Sequence, residues 1–462
     1  MGDNHPGHSA ARDPKVLILA LGRINAADTA NNGLLLRNLF GALPREALAQ
    51  IYSSGDNGDQ GFFGHYYRLG PKDRRLGTKF YKLKADVLNE MVSGAEGHDA
   101  SAVAPGKSAV FKSVLKRLIV ETGFYELIFR PRLSAKMLAW VREFKPDMIF
   151  SQGYNLTFAW LPVMLSKRFN LPIAYYPTDD WPNTEYRIGS QNLPVISYLM
   201  NRMVDRASRD LVAASSVRLA FNRYMQEEYL SRYNREFKVL MHGDDPQRFE
   251  AAAPIRLVLP DEVWIVTTGI FNSNRLPLLD DLDAACSILE RQGFKVRATV
   301  FPVNELSKGE TSRFSYIEFA SCPDHNTMPA ILKGADILFL PERFDETAPG
   351  IRMSVSTKAH LFMFSGTPTV VYSDPVTGIA KYAMEDSWAI VVGKRDIHEL
   401  ADAFKRLIVD DIYRKRIVAN AAQIAAEQHN LASIQLLFKQ MIQRCNNTMG
   451  DDNAFSARNS QV

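Results

Sequence analysis

The sequence predicts an α/β protein made of two doubly wound parallel sheets facing a cleft, on three observations. Short β-branched runs alternate with longer segments of helical period along most of the chain. The alternation occurs as two series, separated by a stretch (244–262) that loses periodicity and gathers Pro and Asp. The 462 residues, 46% of them hydrophobic, are enough for two full cores.

In the first series, "KVLILAL" (15–21) reads as a buried strand, followed by the loop "GRINAADTANN" and the helix "GLLLRNLFGAL". "DMIFSQG" (147–153), "PIAYYP" (172–177), "DLVAAS" (210–215) and "FKVLMHG" (237–243) read as further strands. "LTFAWLPVMLSKRF" and "SVRLAFNRYMQEEYLSRY" carry the helical pattern between them. In the second series the strands are "VWIVTTG" (263–269), "KVRATVF" (295–301), "SYIEFA" (315–320), "DILFLP" (336–341), "TVVY" (369–372) and "WAIVVG" (388–393). Helices are expected at 275–292, 325–333, 396–409 and 411–428. The resulting division is a polar N-terminus (1–13) expected to be disordered, a first domain (14–243), the linker (244–262) and a second domain (263–430). A C-terminal helix (431–445) and a polar tail (446–462) follow. Alternation of this kind gives parallel sheets covered by helices on both faces.

Ligands of such sheets bind outside the carboxyl ends of the strands. The loops there are rich in small and polar residues: "GRIN", "QGYN", "TDDWPN", "HGDD", "GIFNSNR" and "ERFDETAPG". In "GIRMSVSTKAHLFMFSGTPTVVY" (350–372), Ser354, Ser356 and Thr357 are N-cap candidates, Gly366 a C-terminal stop, and Pro368 bars resumption of the helix. A helix start flanked by Arg352 and Lys358 suits an anion, because its free amides and partial positive charge add to the two cations. Asn31, Asn32 and Gly33 open the first helix, and Gly33 permits a close backbone approach. No Gly-x-Gly-x-x-Gly follows the first strand, which argues against a nicotinamide cofactor.

A formal net charge of +4 does not call for nucleic acid. The charge is uneven: residues 68–145 hold 16 Lys and Arg against 8 Asp and Glu and read as a basic helical insertion. Its aromatic part, 111–145, has the composition of amphipathic helices that rest on anionic lipid, or of an ordinary insertion with a solvated face. The three cysteines are far apart, with no metal-ligand or disulfide spacing, and fit a reducing cytoplasm. No stretch opening the chain reads as a signal peptide, and no run approaches the roughly 18–20 apolar residues of a membrane span. The expected location is the cytoplasm, with peripheral contact at the inner face of the membrane as an option.

These motifs resemble a family. "KPDMIFSQG", "VLMHGDDPQRF" (with His242, Gly243, Asp245 and Phe249 at matching places), "GADILFLP", "SVSTKAHLFMFSGTPTVVYSDP" and "YYPTDDWP" are similar, in order and spacing, to segments of the GT-B glycosyltransferases. The resemblance is to the retaining, family 4-like (group 1) enzymes of bacterial surface-polysaccharide synthesis and covers roughly 15–440. It implies two Rossmann-like domains, a nucleotide-sugar donor held by the second, and a sugar or lipid-linked acceptor held by the first, with no metal or other cofactor. The donor side would comprise Arg352, Lys358, Arg275, Gly269, Asn274, Thr357, Glu342 and Glu346, the cations neutralising a departing diphosphate. In "TDDW", one of Asp179 and Asp180 would orient or deprotonate the acceptor hydroxyl while the other holds the loop, and Trp181 could stack on a sugar. The two aspartates could instead cap a helix. Asn32, Gly33 and His242 would line the cleft, His242 chiefly shaping the hinge, and His360 reads as a core histidine. The family's Glu-x7-Glu places are occupied by Met353 and Leu361, which leaves open a silent protein that binds a sugar nucleotide or a partner enzyme. A non-hydrolysing epimerase and a periplasmic-type binding protein share the two-domain plan. The first lacks its Gly-Thr-Arg-Pro-Glu motif here, and the second would need a signal peptide.

Overall fold

The computed structural model describes residues 13–26, 31–55, 60–75, 126, 130–184, 194–344 and 349–444. Aliphatic runs buried on both faces set the first sheet, in which seven parallel strands take the order β3-β2-β1-β4-β5-β6-β7. In chain order its elements are β1 (Val16–Leu19), α1 (Asn31–Phe40), β2 (Leu48–Tyr52), β3 (His65–Arg68), α2 (Ala135–Phe144) and β4 (Met148–Ser151). Then come α3 (Leu156–Phe169), β5 (Ile173–Tyr175), α4 (Trp181–Thr184), α5 (Pro194–Ala214), β6 (Val217–Ala220), α6 (Arg223–Tyr233) and β7 (Lys238–Val239). β1 pairs in parallel with β2 on one side and β4 on the other, Val16 opposite Leu48 and Met148.

The short helix α7 (Pro246–Glu250) opens the stretch expected to be a bare linker, capped by Asp245 and anchored by the buried Phe249. The second sheet follows: β8 (Val263–Gly269), α8 (Leu276–Arg291), β9 (Val296–Pro302), α9 (Lys308–Thr311), β10 (Ile317–Phe319), α10 (Met328–Gly334) and β11 (Ile337–Pro341). It is completed by α11 (Lys358–Ser365), β12 (Thr369–Tyr372), α12 (Gly378–Asp386), β13 (Ile390–Val392), α13 (Ile397–Val409) and α14 (Asp411–Gln428). Its six parallel strands take the order β10-β9-β8-β11-β12-β13. The two-residue period of a strand sends Trp264 and Val266 into one apolar cluster and Ile265 into another, so both faces of β8 are covered.

A last helix, α15 (431–444), leaves the second sheet and packs Ile434, Phe438, Met441 and Ile442 into the core of the first. Phe438 meets Phe40 and Phe150 edge-on, with ring centroids 5.2 and 5.9 Å apart. The chain thus crosses between the two halves twice, side by side: Asp244 N donates to His429 O (3.0 Å) and Leu431 N to Asp244 O (3.1 Å).

Four expectations are corrected. Residues 210–214 of "DLVAAS" continue α5, whose Met200, Val204, Ala207 and Leu211 form one buried stripe at helical spacing. The strand is instead "VRLA", part of the run whose pattern predicts the following helix. β2 and β3 were not anticipated, and the strand in "FKVLMHG" is only two residues long. Thr357 precedes α11 without a side-chain capping bond; Ser356 Oγ, 3.4 Å from Lys358 N, is the nearest oxygen to that role. Gly366 does end α11 in the left-handed conformation (φ 72°). Residues 1–12, 445–462 and most of 111–145 lie outside the described residues. Of the basic insertion, residues 68–75, 126 and 130–145 are described: Pro131 bridges to Arg74, and α2 covers β3 through Trp140 against Tyr67 and Phe144 against His65.

Candidate active site

A doubly wound sheet parts where its strand order reverses, and ligands settle in that crevice. In the first sheet the reversal lies between β1 and β4. Asn32, in the first turn of α1, and Gln152, just past β4, exchange two amide hydrogen bonds there, Nδ2 to Oε1 (2.8 Å) and Nε2 to Oδ1 (2.7 Å). Asn32 is therefore occupied with Gln152. Gly33 is half-buried beside it in the same turn. Gln152 is wholly buried, and its Nε2 also donates to Tyr154 Oη (3.4 Å). Tyr154 Oη in turn is hydrogen-bonded to Thr178 Oγ1, past the end of β5.

The next two residues have opposite fates. Asp179 is exposed, at the edge of a recess; desolvation by the surrounding protein and the charge of Asp180 hold its carboxyl above the ordinary aspartate value. Asp180 is buried in a bidentate ion pair with Arg232, Nη1 to Oδ1 at 2.6 Å and Nη2 to Oδ2 at 3.0 Å. Tyr229 Oη and Asn183 Nδ2 donate to the same carboxylate (3.2 and 2.5 Å). That saturates it, so Asp180 holds the loop and is not available to a substrate. Trp181 is drawn in after it, 2% exposed in the core beside Tyr175 and Leu211, and cannot stack on a sugar as expected.

The second sheet reverses between β8 and β11, and four of the expected donor residues converge there. Arg275, just before α8, grips Glu342, just past β11: Nη2 lies 2.7 Å from Oε2 and 2.9 Å from Oε1. Glu342 is buried, and this pairing, rather than a free cation, is the resting state of Arg275. Lys358 Nζ, from the start of α11, donates to Thr268 O (2.7 Å) at the end of β8. Gly269 makes the approach possible: φ is 140°, and a Cβ would lie 2.7 Å from Lys358 Nζ. Burial, with Arg275 adding repulsion against the attraction of Glu342, pushes the Lys358 ammonium down to about 8. The preceding loop 270–274 is clamped by Asn304, which donates to Phe271 O (3.1 Å) and accepts from Phe271 N (2.8 Å).

The two crevices open toward each other. The 3-10 turn Pro349–Arg352 packs beside α4, and Asn222 Nδ2, past β6, donates to Met353 O (2.7 Å) across the gap. Arg352 is exposed at the end of that turn. Asn274 and Thr357 are exposed, and Glu346 lies outside the described residues. Met353 and Leu361 pack into apolar clusters, so neither offers an oxygen to a ligand. His242 is not in either crevice. It is buried at the crossover, its ring stacked on His360 (centroids 4.7 Å apart), with its main-chain oxygen accepting from His429 Nδ1 (2.5 Å). Burial pulls His242 and His429 down to about 4 and His360 well below its usual value, so all three are neutral at physiological pH. His360 is thus a core histidine that also joins the two halves.

Sequence reasoning marked the loops "QGYN" and "TDDWPN" but did not single out Gln152, Tyr154 or Thr178, nor Arg232, which decides which aspartate is free. Their signal was position at strand ends.

Two parallel sheets with facing reversal points form the GT-B architecture, and solved structures share it along most of the chain. The sucrose-phosphate synthase of Thermosynechococcus elongatus is 14% identical over 94% of this chain and 99% of its own, with a TM-score of 0.59. The α,α-trehalose 6-phosphate synthase of Burkholderia multivorans is 12% identical over 96% of this chain and 100% of its own (TM-score 0.60). HepE of Anabaena, in complex with UDP-glucose, is 15% identical over 93% and 100% (TM-score 0.55). At such identities the likeness shows the fold. No family model and no curated protein matches the sequence. Among the described residues, no helix is long and apolar enough to cross a membrane.

Proposed function

We propose that the protein is a glycosyltransferase that moves a hexosyl group from a nucleotide sugar to a hydroxyl acceptor, with retention of configuration, in polysaccharide or glycolipid synthesis. The observation that carries this reading is the pair of facing reversal points: Lys358 and Arg275 on one, the exposed Asp179 on the other. UDP-glucose bound to HepE supports a nucleotide sugar as the ligand of a cleft of this architecture. The resemblance to retaining enzymes supplies the stereochemistry and the polysaccharide context. In the step itself, the bond between the sugar C1 and the phosphate oxygen breaks, and its electron pair leaves with the diphosphate. The acceptor oxygen bonds to C1 on the face that the diphosphate leaves, as retention in one step requires, and its proton passes to the Asp179 carboxylate. Lys358, Arg275 and Arg352 offset the charge that develops on the diphosphate, so no divalent metal is required and turnover should persist in EDTA. A basic segment at 111–145 would bring a lipid-linked acceptor to the cleft.

The test is purified protein with a panel of nucleotide sugars including UDP-glucose, scored for nucleoside diphosphate release with and without hydroxyl acceptors. Release that acceptors stimulate is expected; no release from any donor rejects the transferase. One observation favours a second reading, a nucleotide-sugar binder without turnover: the apolar Met353 and Leu361 at the two glutamate places. Binding of UDP-glucose without release would identify it.

Lys358 gives a pH prediction. Its ammonium is lost as pH rises through about 8, so affinity for UDP should fall across that range. Lys358→Met should abolish the step and weaken binding at neutral pH by about 1–3 kcal/mol, the scale of a charge-assisted hydrogen bond. Folding responds with the opposite sign. The unfolded lysine holds its proton up to its ordinary value of 10.5, so stability rises with pH between about 8 and 10.5. Calorimetry showing a UDP affinity that is flat through pH 8 would reject the placement of Lys358 at the phosphates.

A further inference from the structure

The chain passes between the two halves twice, and each passage carries a buried histidine, His242 just past β7 and His429 just past α14. A third, His360, comes from α11 of the second half, two residues after Lys358. His242, His429 and His360 are 6, 2 and 3% exposed. The His360 ring meets both of the others, stacked on His242 with centroids 4.7 Å apart and tilted against His429 at 5.7 Å. His429 ties one passage to the other, Nδ1 donating to His242 O (2.5 Å), and Tyr382 Oη of α12 lies 2.9 Å from its Nε2. Among the described residues, the carboxylate that faces the trio is that of Asp244, and it is already joined to Arg248 of α7. Arg248 and the half-buried His325 repel a proton on His360, with Arg37 and Asp324 beyond them around His325. On the α12 side, Tyr382 turns its ring to Arg223, which pairs with Glu385 and Asp386. A proton on any ring of the trio would thus be a buried cation against aromatic neighbours, its one facing carboxylate committed elsewhere; solvation becomes available when the joint opens to water.

We propose that His242, His360 and His429 are an acid-sensitive lock on the joint: neutral rings hold the halves in register, and proton uptake by the rings parts the halves while each keeps its own core. The two sheets have separate hydrophobic clusters, so neither depends on the joint for its packing. Parting moves Asp179 away from Lys358, which stops the cleft without damage to either side of it, and a return to neutral pH restores it. The lock does not depend on what the cleft binds. The rings titrate below the ordinary value of 6.5, so the joint is at full strength above pH 6.5 and weakens as pH falls toward about 4. Over that range an open joint that takes up three protons gains up to about a thousandfold on the closed one per pH unit, tenfold for each ring.

X-ray scattering of the full chain without ligand reads the parting as a rise in radius of gyration, and far-UV circular dichroism shows whether the halves stay folded. Between pH 6.5 and about 4 the radius is expected to rise while the dichroism holds, and the radius to fall back on neutralisation. His360→Phe keeps a flat ring in the stack and cannot take a proton. Its transition is expected at lower pH, with a slope of at most about a hundredfold per pH unit. Should that variant not fold, His429→Asn, which keeps a donor opposite His242 O and cannot charge, makes the same comparison. The pairs of Arg223 with Glu385 and Asp386 are solvent-accessible and weaken in about 0.5 M salt, so parting produced by salt at neutral pH would assign the closure to them and overturn the proposal. A radius that stays constant down to about pH 4 would also overturn it, as would loss of dichroism in step with the expansion, or a variant whose transition matches the wild type. A cleft carboxylate that titrates in acid changes turnover and not dimensions, and so is not confused with the lock.

Discussion

Asp179→Asn is expected to lower turnover by about 10²–10⁴, the usual share of a positioned acid–base group, with donor affinity and melting temperature nearly unchanged. The exchange keeps the size of the side chain and removes only its charge. That charge is disfavoured where it sits: desolvation by the surrounding protein and the neighbouring Asp180 both hold the carboxyl above its ordinary value, so folding does not depend on it. The donor lies against Lys358 and Arg275 on the other sheet and should not register the change. In the wild type, turnover should fall as pH drops through the raised value of Asp179, because the base is then protonated. The Asn variant should lack that acid limb. Full turnover in Asp179→Asn would show that the attacking hydroxyl is activated elsewhere in the cleft.

Asp180→Asn is expected to do the reverse, removing stability before it touches chemistry. Its carboxylate is inaccessible to solvent and Arg232 only 15% accessible, and their bidentate contact is joined by Tyr229 and Asn183. Taking the charge from Asp180 leaves a largely buried guanidinium with the half-exposed Glu228 (2.7 Å) as its remaining counter-charge, which costs about 3 kcal/mol, the low end for breaking a buried pair. The accompanying Arg232→Met change should recover much of that loss, because the stranded cation goes with it. Denaturant titration of the two single variants and the double variant reads this directly; a loss under about 1 kcal/mol for Asp180→Asn would mean that solvent reaches the pair and screens it. The adjacent carboxylates are therefore separable by experiment: one variant folds and does not turn over, the other is marginally folded.

The second sheet was legible strand by strand, because each of its strands is a short β-branched run with turn residues on both sides, the pattern of a strand buried on two faces. The first sheet was less so. β2 hides behind Gln50, a polar residue at zero exposure that no hydrophobic pattern would place inside; its amide accepts from Ile24 N (3.0 Å) and donates to Gly22 O (2.7 Å), holding the loop after β1. β3 is an edge strand with His65 and Arg68 turned to solvent, so its pattern is diluted. "DLVAAS" misled because a short apolar run does not reveal its period, and only the longer stripe from Met200 to Leu211 shows the helix. At the cleft, strand ends located the loops, and residue type nominated Lys358, Arg275, Glu342 and the aspartate pair. Which aspartate is free, and that Trp181 faces inward, depend on Arg232, 52 residues along the chain, a contact that one sequence does not display.

The return of α15 to the first sheet sets an order of events during synthesis. The ribosome makes β1 and β4 early, yet the aromatic cluster of Phe40 and Phe150 is completed by Phe438, in the last of the described helices. At about 5–20 residues per second, the surface that α15 will cover waits roughly 15–60 s after Phe150 is made. The second half can close its own clusters meanwhile, since its strands are contiguous in the chain. The half made first is thus the half finished last, and a nascent chain stopped before residue 431 would carry a complete second core beside an unsealed first one.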